Sequence, residues 1–159
     1  MRRTKSRAYL PGSQRIALYA VGLGLWLSGA LWLLLHQLDH GPDAVGVTRH
    51  PLEPWTLAVH GAFAVAGTWI FGLLWGVHVG QGWAMNERRR SGVALVIVVV
   101  CLMLSGYLLY YVGSERLRAL TSIFHWTAGL ALPLAFASHR VRARRRLRVT
   151  KSDTLEMTR

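Results

Sequence analysis

Four long apolar stretches constrain the fold of this chain more than any other feature of its sequence. They cover about residues 16–36, 55–80, 92–112 and 117–139. Each reaches roughly the 20 residues that a helix needs to cross the apolar core of a bilayer. A membrane-spanning sheet would instead alternate polar and apolar residues and close into a barrel. The third stretch, VALVIVVVCLMLSGYLLYYV, has no polar face for water. We therefore predict an all-α integral membrane protein with four transmembrane helices.

Short connections between these stretches predict an up-down four-helix bundle, because short loops make consecutive helices antiparallel neighbours. The longest connection, from Gln37 to Pro54, is rich in turn-forming residues. The basic N-terminus resembles the start of a signal peptide. However, the apolar part from Ile16 to Leu35 is too long for one, so we predict an uncleaved helix. The predicted organisation is a basic N-terminal segment over 1–15, a four-helix domain over 16–139 and a basic tail over 140–159.

The distribution of positive charge predicts which side of the membrane each loop occupies. Of the 19 Lys and Arg residues, eight follow residue 139, five precede or open the first helix, and three lie between the second and third helices. Only Arg49, Arg116 and Arg118 fall on the opposite side. The positive-inside rule then places both termini in the cytoplasm. We interpret the net charge of +12 as topology signals and lipid-headgroup contacts rather than as a nucleic-acid surface.

Histidines are the candidates for chemistry, because ionisable residues inside transmembrane segments usually mark a functional site. The second helix carries His60 and His78, eighteen residues apart, which places them on one face about 27 Å apart. The fourth helix carries His125 and His139, fourteen residues apart, within about 40° of one face and about 21 Å apart. Both helices run from outside to inside in the predicted topology. The first histidine of each helix therefore lies toward the outer face, and the second toward the cytoplasm.

Two imidazoles at each of two depths predict two metal-centred cofactors, one above the other. Imidazole is a frequent axial ligand of haem iron. The single cysteine, Cys101, provides neither a CxxCH attachment site for haem c nor an iron–sulfur cluster site. We therefore predict two bis-histidine haems b. His60 and His125 are the expected ligands of the outer haem. His78 and His139 are the expected ligands of the inner haem. The other three histidines are predicted to be ordinary loop residues: His36, His40 and His50.

The chain also resembles a known family. The segments that carry the resemblance are FHWTAGLALPLAFASH at 124–139, VHG at 59–61, GVHVGQGW at 76–83 and GYLLYY at 106–111. Over about residues 14–142 the chain is similar to the small di-haem cytochromes b of bacterial inner membranes, including the four-helix subunits of formate dehydrogenases and hydrogenases. Two ligands about fourteen residues apart on one helix recur in such families. The resemblance implies b haems, quinone-linked electron transfer, and partner redox subunits or a periplasmic cytochrome.

Two departures from this family leave alternatives open. In the formate dehydrogenase type one ligand comes from the first helix. Here that helix offers only His36 at its outer end, which makes His36 a competitor for the outer haem. The histidine spacing on the second helix also exceeds that on the fourth by four residues, about 6 Å. Both pairs are then level only if a haem or helix tilts, or if Pro133 kinks the fourth helix.

The predicted function is electron transfer across the membrane, with the protein supplying axial ligands, orientation and low-dielectric surroundings. Basic side chains are expected near the haem propionates, namely Arg140 at the inner haem and Arg116 or Arg118 at the outer one. Quinone is a further candidate cofactor, and an oligomer is compatible with the sequence. One alternative is a structural membrane anchor of a larger redox or transport complex, with histidines that only pack. Another is a small transporter whose histidines relay protons or bind a metal ion.

Overall fold

The structure, a computed structural model, describes residues 12–38, 50–76 and 89–156. That part of the chain contains four α-helices: α1 (Gly12–Leu38), α2 (Glu53–Leu74), α3 (Arg89–Tyr111) and α4 (Glu115–Glu156). All four are long and apolar enough to cross a membrane. Each lies over one of the predicted apolar stretches. The all-α class and the four apolar helices are therefore confirmed.

Local sequence explains where α2 begins and how α3 connects to α4. Pro54 occupies the first turn of α2, where its fixed φ suits the helix and its missing N–H costs nothing. Glu53 brings a carboxylate to the positive end of the helix dipole. After α3, the Arg118 Nη2 donates to the carbonyl of Val112 over 2.8 Å, one of the carbonyls that a helix end leaves without a helical donor. The three-residue connection 112–114 makes α3 and α4 antiparallel.

The last helix extends well beyond the predicted end near residue 139. Its apolar stretch ends before Arg140, where the run of arginines begins, yet the helix continues to Glu156 and so includes most of the predicted basic tail. Residues 140–156 contain neither glycine nor proline, and arginine, leucine and alanine favour helix in water as well as in lipid. Hydropathy therefore marks the end of the apolar span, and helix propensity lets the helix continue beyond it. The helix also runs through Pro133 without interruption.

In this structure polar side chains are buried and large apolar side chains are exposed, which is the reverse of a water-soluble protein. Among the described side chains, the buried polar or charged ones are Ser28, Glu53 and Ser105. In the same part of the chain, one apolar side chain, Leu35, is buried. Large apolar side chains such as Val65, Trp69 and Leu134 are 73% to 74% exposed. An exposed apolar surface of this extent needs an apolar environment or a partner.

Two compact units make up the chain, Met1–Arg89 and Arg90–Arg159. The first contains α1 and α2, which we name the first helix pair. The second contains α4 and nearly all of α3, which we name the second helix pair. In the first helix pair, the ring of Phe63 on α2 contacts the position that a Cβ on Gly24 of α1 would occupy. A glycine at this position therefore permits close packing of α1 against α2.

Candidate functional site

The imidazole of His60, on α2, is held by groups on α1. Its Nδ1 lies 3.2 Å from the hydroxyl oxygen of Ser28 and 3.0 Å from the carbonyl oxygen of Leu25. The approach is close because residue 29 is a glycine: a Cβ there would lie 2.8 Å from Cε1 of the imidazole. The neighbouring helix therefore determines how this ring is oriented.

The hydrogen-bond partners of His60 also determine its tautomer. A carbonyl oxygen only accepts, so Nδ1 must carry a hydrogen to donate to Leu25. The hydroxyl of Ser28 donates its own hydrogen to the carbonyl of Gly24 over 2.7 Å, which leaves the serine oxygen to accept from the imidazole. In a neutral imidazole one nitrogen is a donor and the other an acceptor. The lone pair of His60 is therefore on Nε2.

The imidazole of His125, on α4, is held by α3 in the same way. Its Nδ1 lies 2.8 Å from the hydroxyl oxygen of Ser105, which is 5% exposed. The hydroxyl oxygen of Ser105 also lies 3.1 Å from the carbonyl oxygen of Leu102. Donation to that carbonyl leaves the serine oxygen to accept from Nδ1–H, which is the tautomer of His125 with its lone pair on Nε2. The next residue is again a glycine, and a Cβ on Gly106 would lie 3.3 Å from Cε1 of the ring.

A third contact of this kind holds His139, near the start of α3. Its Nδ1 lies 3.1 Å from the hydroxyl oxygen of Ser91, and a Cβ on Gly92 would lie 3.8 Å from Cε1. Ser91 and Ser105 are fourteen residues apart, as are His125 and His139. The two contacts of the second helix pair are thus about 21 Å apart along antiparallel helices, in a single register.

Each of the three serines is followed by a glycine in the sequence. The chain contains three Ser-Gly dipeptides, at 28–29, 91–92 and 105–106, and each contacts a histidine of the paired helix. The spacing of the histidines alone does not predict this pattern. Its signal was present in the equal spacing of serines on α3 and histidines on α4.

His36, the competing ligand, lies in the last turn of α1 rather than in a loop. Its Nδ1 is 2.9 Å from Oε1 of Glu53, a residue that is 7% exposed. Its ring stacks on that of Trp32, with centroids 4.8 Å and planes 12° apart. Among the described side chains, the Nε1 of Trp32 is the one buried nitrogen or oxygen without a hydrogen-bond partner. His36 and Glu53 therefore join the end of α1 to the start of α2.

The remaining histidines are a turn residue and two that lie outside the described residues. The Nδ1 of His50 accepts a hydrogen bond from the backbone N–H of Leu52 over 3.2 Å, which fits its predicted place in a loop. His40 and His78 lie outside the described residues. Of the predicted ligand pair His78 and His139, the structure therefore describes His139.

Within residues 12–38, 50–76 and 89–156, no group of three or more His, Cys, Asp or Glu side chains is placed to hold a metal ion. A bis-histidine haem takes two protein ligands, with the porphyrin providing the others, so the candidate histidines do not form such a group. Comparison of the chain with protein-family models, with curated proteins and with solved structures finds no match.

Proposed function

We propose that the chain is a b-type cytochrome that passes electrons across the bacterial inner membrane through two bis-histidine haems. The observation that carries the proposal is the pair of serine–histidine contacts in the second helix pair. These contacts present two oriented imidazoles on one apolar helix, fourteen residues apart. Histidines that merely join two helices need neither a shared face nor a repeated partner.

The hydrogen bonds of His60 and His125 support a role as axial haem ligands. A metal-ligating histidine binds through one ring nitrogen and donates its other N–H to an acceptor, which fixes the ring orientation and raises the basicity of the ligand. His60 and His125 direct Nδ1–H toward serine oxygens, so Nε2 is the ligating nitrogen in this proposal. The helices that carry these side chains are apolar enough to cross a membrane, which suits a haem macrocycle.

In this proposal His60 and His125 hold one haem, and His78 and His139 hold the other. The pairing rests on the topology predicted from the sequence, in which each pair lies toward the same side of the membrane. When bound, haem supplies reversible one-electron chemistry. The chain supplies the axial imidazoles, their orientation and an environment of low dielectric constant.

The proposed setting is an up-down four-helix bundle that crosses the membrane several times, with both termini in the cytoplasm. The exposed apolar side chains provide the surface for lipid. The clustered Lys and Arg residues provide the orientation. The proposed redox partners are the quinone pool and a second redox protein, either another subunit or a periplasmic cytochrome.

Haem quantitation is the experiment that tests the proposal. The full chain is purified from cells supplied with haem precursor, and the pyridine haemochrome is measured against the protein concentration. We expect two haems b per chain. His50→Ala is the control, because His50 lies in a turn beside Leu52, and this variant should keep the ratio of the parent. A ratio near one would mean that one histidine pair ligates, and a ratio of zero would refute the cytochrome.

A structural membrane anchor is the second candidate, because the same contacts join α1 to α2 and α3 to α4. For an anchor, these hydrogen bonds serve packing, each contributing about 1 kcal/mol to the free energy of unfolding. The two candidates differ in colour. A cytochrome gives a reduced-minus-oxidised difference band in the visible spectrum, and an anchor gives a flat difference spectrum at every stage of purification.

A further inference from the structure

The helices α1 and α3 carry no ligand in the proposed cytochrome, yet they contact every described candidate ligand. We propose that Ser28 and Ser105 are positioning residues that keep hydrogen on Nδ1 of His60 and His125, Ser28 together with the carbonyl of Leu25, so that each imidazole presents the lone pair of Nε2 to iron. The glycine after each serine gives the imidazole room to reach the hydroxyl. The inference rests on the proposed function, but it concerns residues that do not themselves touch the haem iron.

The serine hydroxyls form hydrogen bonds with carbonyls of their own helices, and the direction of these bonds bears on the tautomer of the imidazole. The hydroxyl hydrogen of Ser28 is donated to Gly24, and that of Ser105 to Leu102, both within the serine's own helix. Each serine oxygen can then only accept from an imidazole. The opposite tautomer would require the serine hydrogen to turn from the carbonyl to Nδ1, and the carbonyl would lose its donor. A backbone carbonyl one helical turn away thus favours the tautomer that carries hydrogen on Nδ1.

The glycine that follows each serine leaves space for the imidazole of the paired helix. A Cβ on Gly29 would lie 2.8 Å from Cε1 of its histidine, one on Gly106 would lie 3.3 Å away, and one on Gly92 would lie 3.8 Å away. The first distance forces the ring or the helix to move, the second requires a shift of a few tenths of an ångström, and the third is ordinary contact. Alanine should therefore be least tolerated at 29 and best tolerated at 92.

The two serines should differ in how much their histidines depend on them. The Nδ1 of His60 donates to the carbonyl of Leu25 as well as to Ser28, so removing the serine hydroxyl leaves a backbone acceptor in place. The Nδ1 of His125 has the shorter contact, 2.8 Å, to Ser105. We therefore expect a larger effect of Ser105→Ala than of Ser28→Ala.

The test compares Ser105→Ala with Ser105→Thr, which restores a hydroxyl, and with Thr127→Val. Thr127 is a matched control on α4, because its hydroxyl donates to carbonyls of its own helix, those of Ile123 and Phe124. Haem is titrated into the full-length apoprotein, and the reduction potential of each haem is measured.

Ser105→Ala should weaken haem binding at one site about 10- to 100-fold. It should also raise the potential of that haem, because a less basic imidazole stabilises ferric iron less. Ser105→Thr should return both values toward the parent, and Thr127→Val should match the parent.

The outcomes separate this inference from the proposed function. A parent protein that takes up no haem refutes the cytochrome. The tautomer is then read from the ¹⁵N shifts of His125 in the apoprotein, which should show hydrogen on Nδ1 in the parent and lose that preference in Ser105→Ala. A parent that holds two haems, together with unchanged affinity and potential in Ser105→Ala, refutes the positioning role and leaves the cytochrome standing. If Ser105→Ala does not fold, Ser28→Ala is the milder variant, with the same expected direction.

Discussion

Replacing His139 with alanine should remove one haem and leave the other in place. His139 and His125 are fourteen residues apart on α4, which is about 21 Å along the helix. Each is held by its own serine on α3, Ser91 and Ser105. Substitutions more than about 7–10 Å apart without shared partners act nearly independently. The expected loss is therefore one haem of two per chain, with the other haem keeping the spectrum and the potential that it has in the parent.

The assay is a redox titration followed by difference spectra, with pyridine haemochrome quantitation of each purified variant. His125→Ala and His60→Ala should remove the same spectral component. His139→Ala and His78→Ala should remove the other. His50→Ala is the control from the turn before α2 and should leave both components.

The independence of the two haem sites is refuted if His139→Ala abolishes both spectral components while the protein keeps its helical content. A different result would refute the proposed pairing of histidines at each haem. If His78→Ala keeps two low-spin haems and His36→Ala loses one, a ligand comes from α1, as in the formate dehydrogenase type. His36 would in that case have to exchange its contact with Glu53 for iron.

The remaining predictions concern topology and the contacts at the end of α1. A reporter enzyme that is active only in the periplasm should be silent when fused after Arg159, and strong activity there would reverse the proposed orientation. Glu53→Gln should lower the free energy of unfolding by about 1 kcal/mol, because it weakens a charge-assisted bond to His36; an unchanged thermal transition would contradict this. Trp32→Phe keeps an aromatic ring beside His36 and removes an N–H without a partner, so stability should change by less than about 1 kcal/mol. A loss above about 2 kcal/mol would show that this N–H has an acceptor.

The sequence was sufficient to predict the helices, because each apolar stretch is long and carries almost no polar residue. It was not sufficient to predict which faces pack together. A helix as uniformly apolar as α3 has no polar stripe that would distinguish its buried side. The buried residues there include Ser105, and serine in an apolar helix is compatible with packing, with exposure to lipid or with a functional contact.

The hydrogen-bond partners of the described candidate histidines come from the structure and could not be predicted from the sequence. The sequence predicts that His125 and His139 lie near one face, because their spacing is fixed within a single helix. The contacts with Ser105 and Ser91 depend on the register between two helices, and that register follows from side-chain packing that no periodicity in either helix specifies. The extension of α4 to Glu156 does not follow from hydropathy, because helix propensity lets the helix continue past its apolar stretch.

The equal spacing of both contacts in the second helix pair restricts how the length of this region can change during evolution. One residue inserted between Ser91 and Ser105 would turn one serine by about 100° relative to the other, and one histidine would lose its partner. One residue inserted between His125 and His139 would do the same from α4. Both contacts persist only when the two helices gain or lose about the same whole number of turns, for example about seven residues each. Insertions and deletions in homologous genes should therefore occur in matched pairs within these segments, and singly only in the connections.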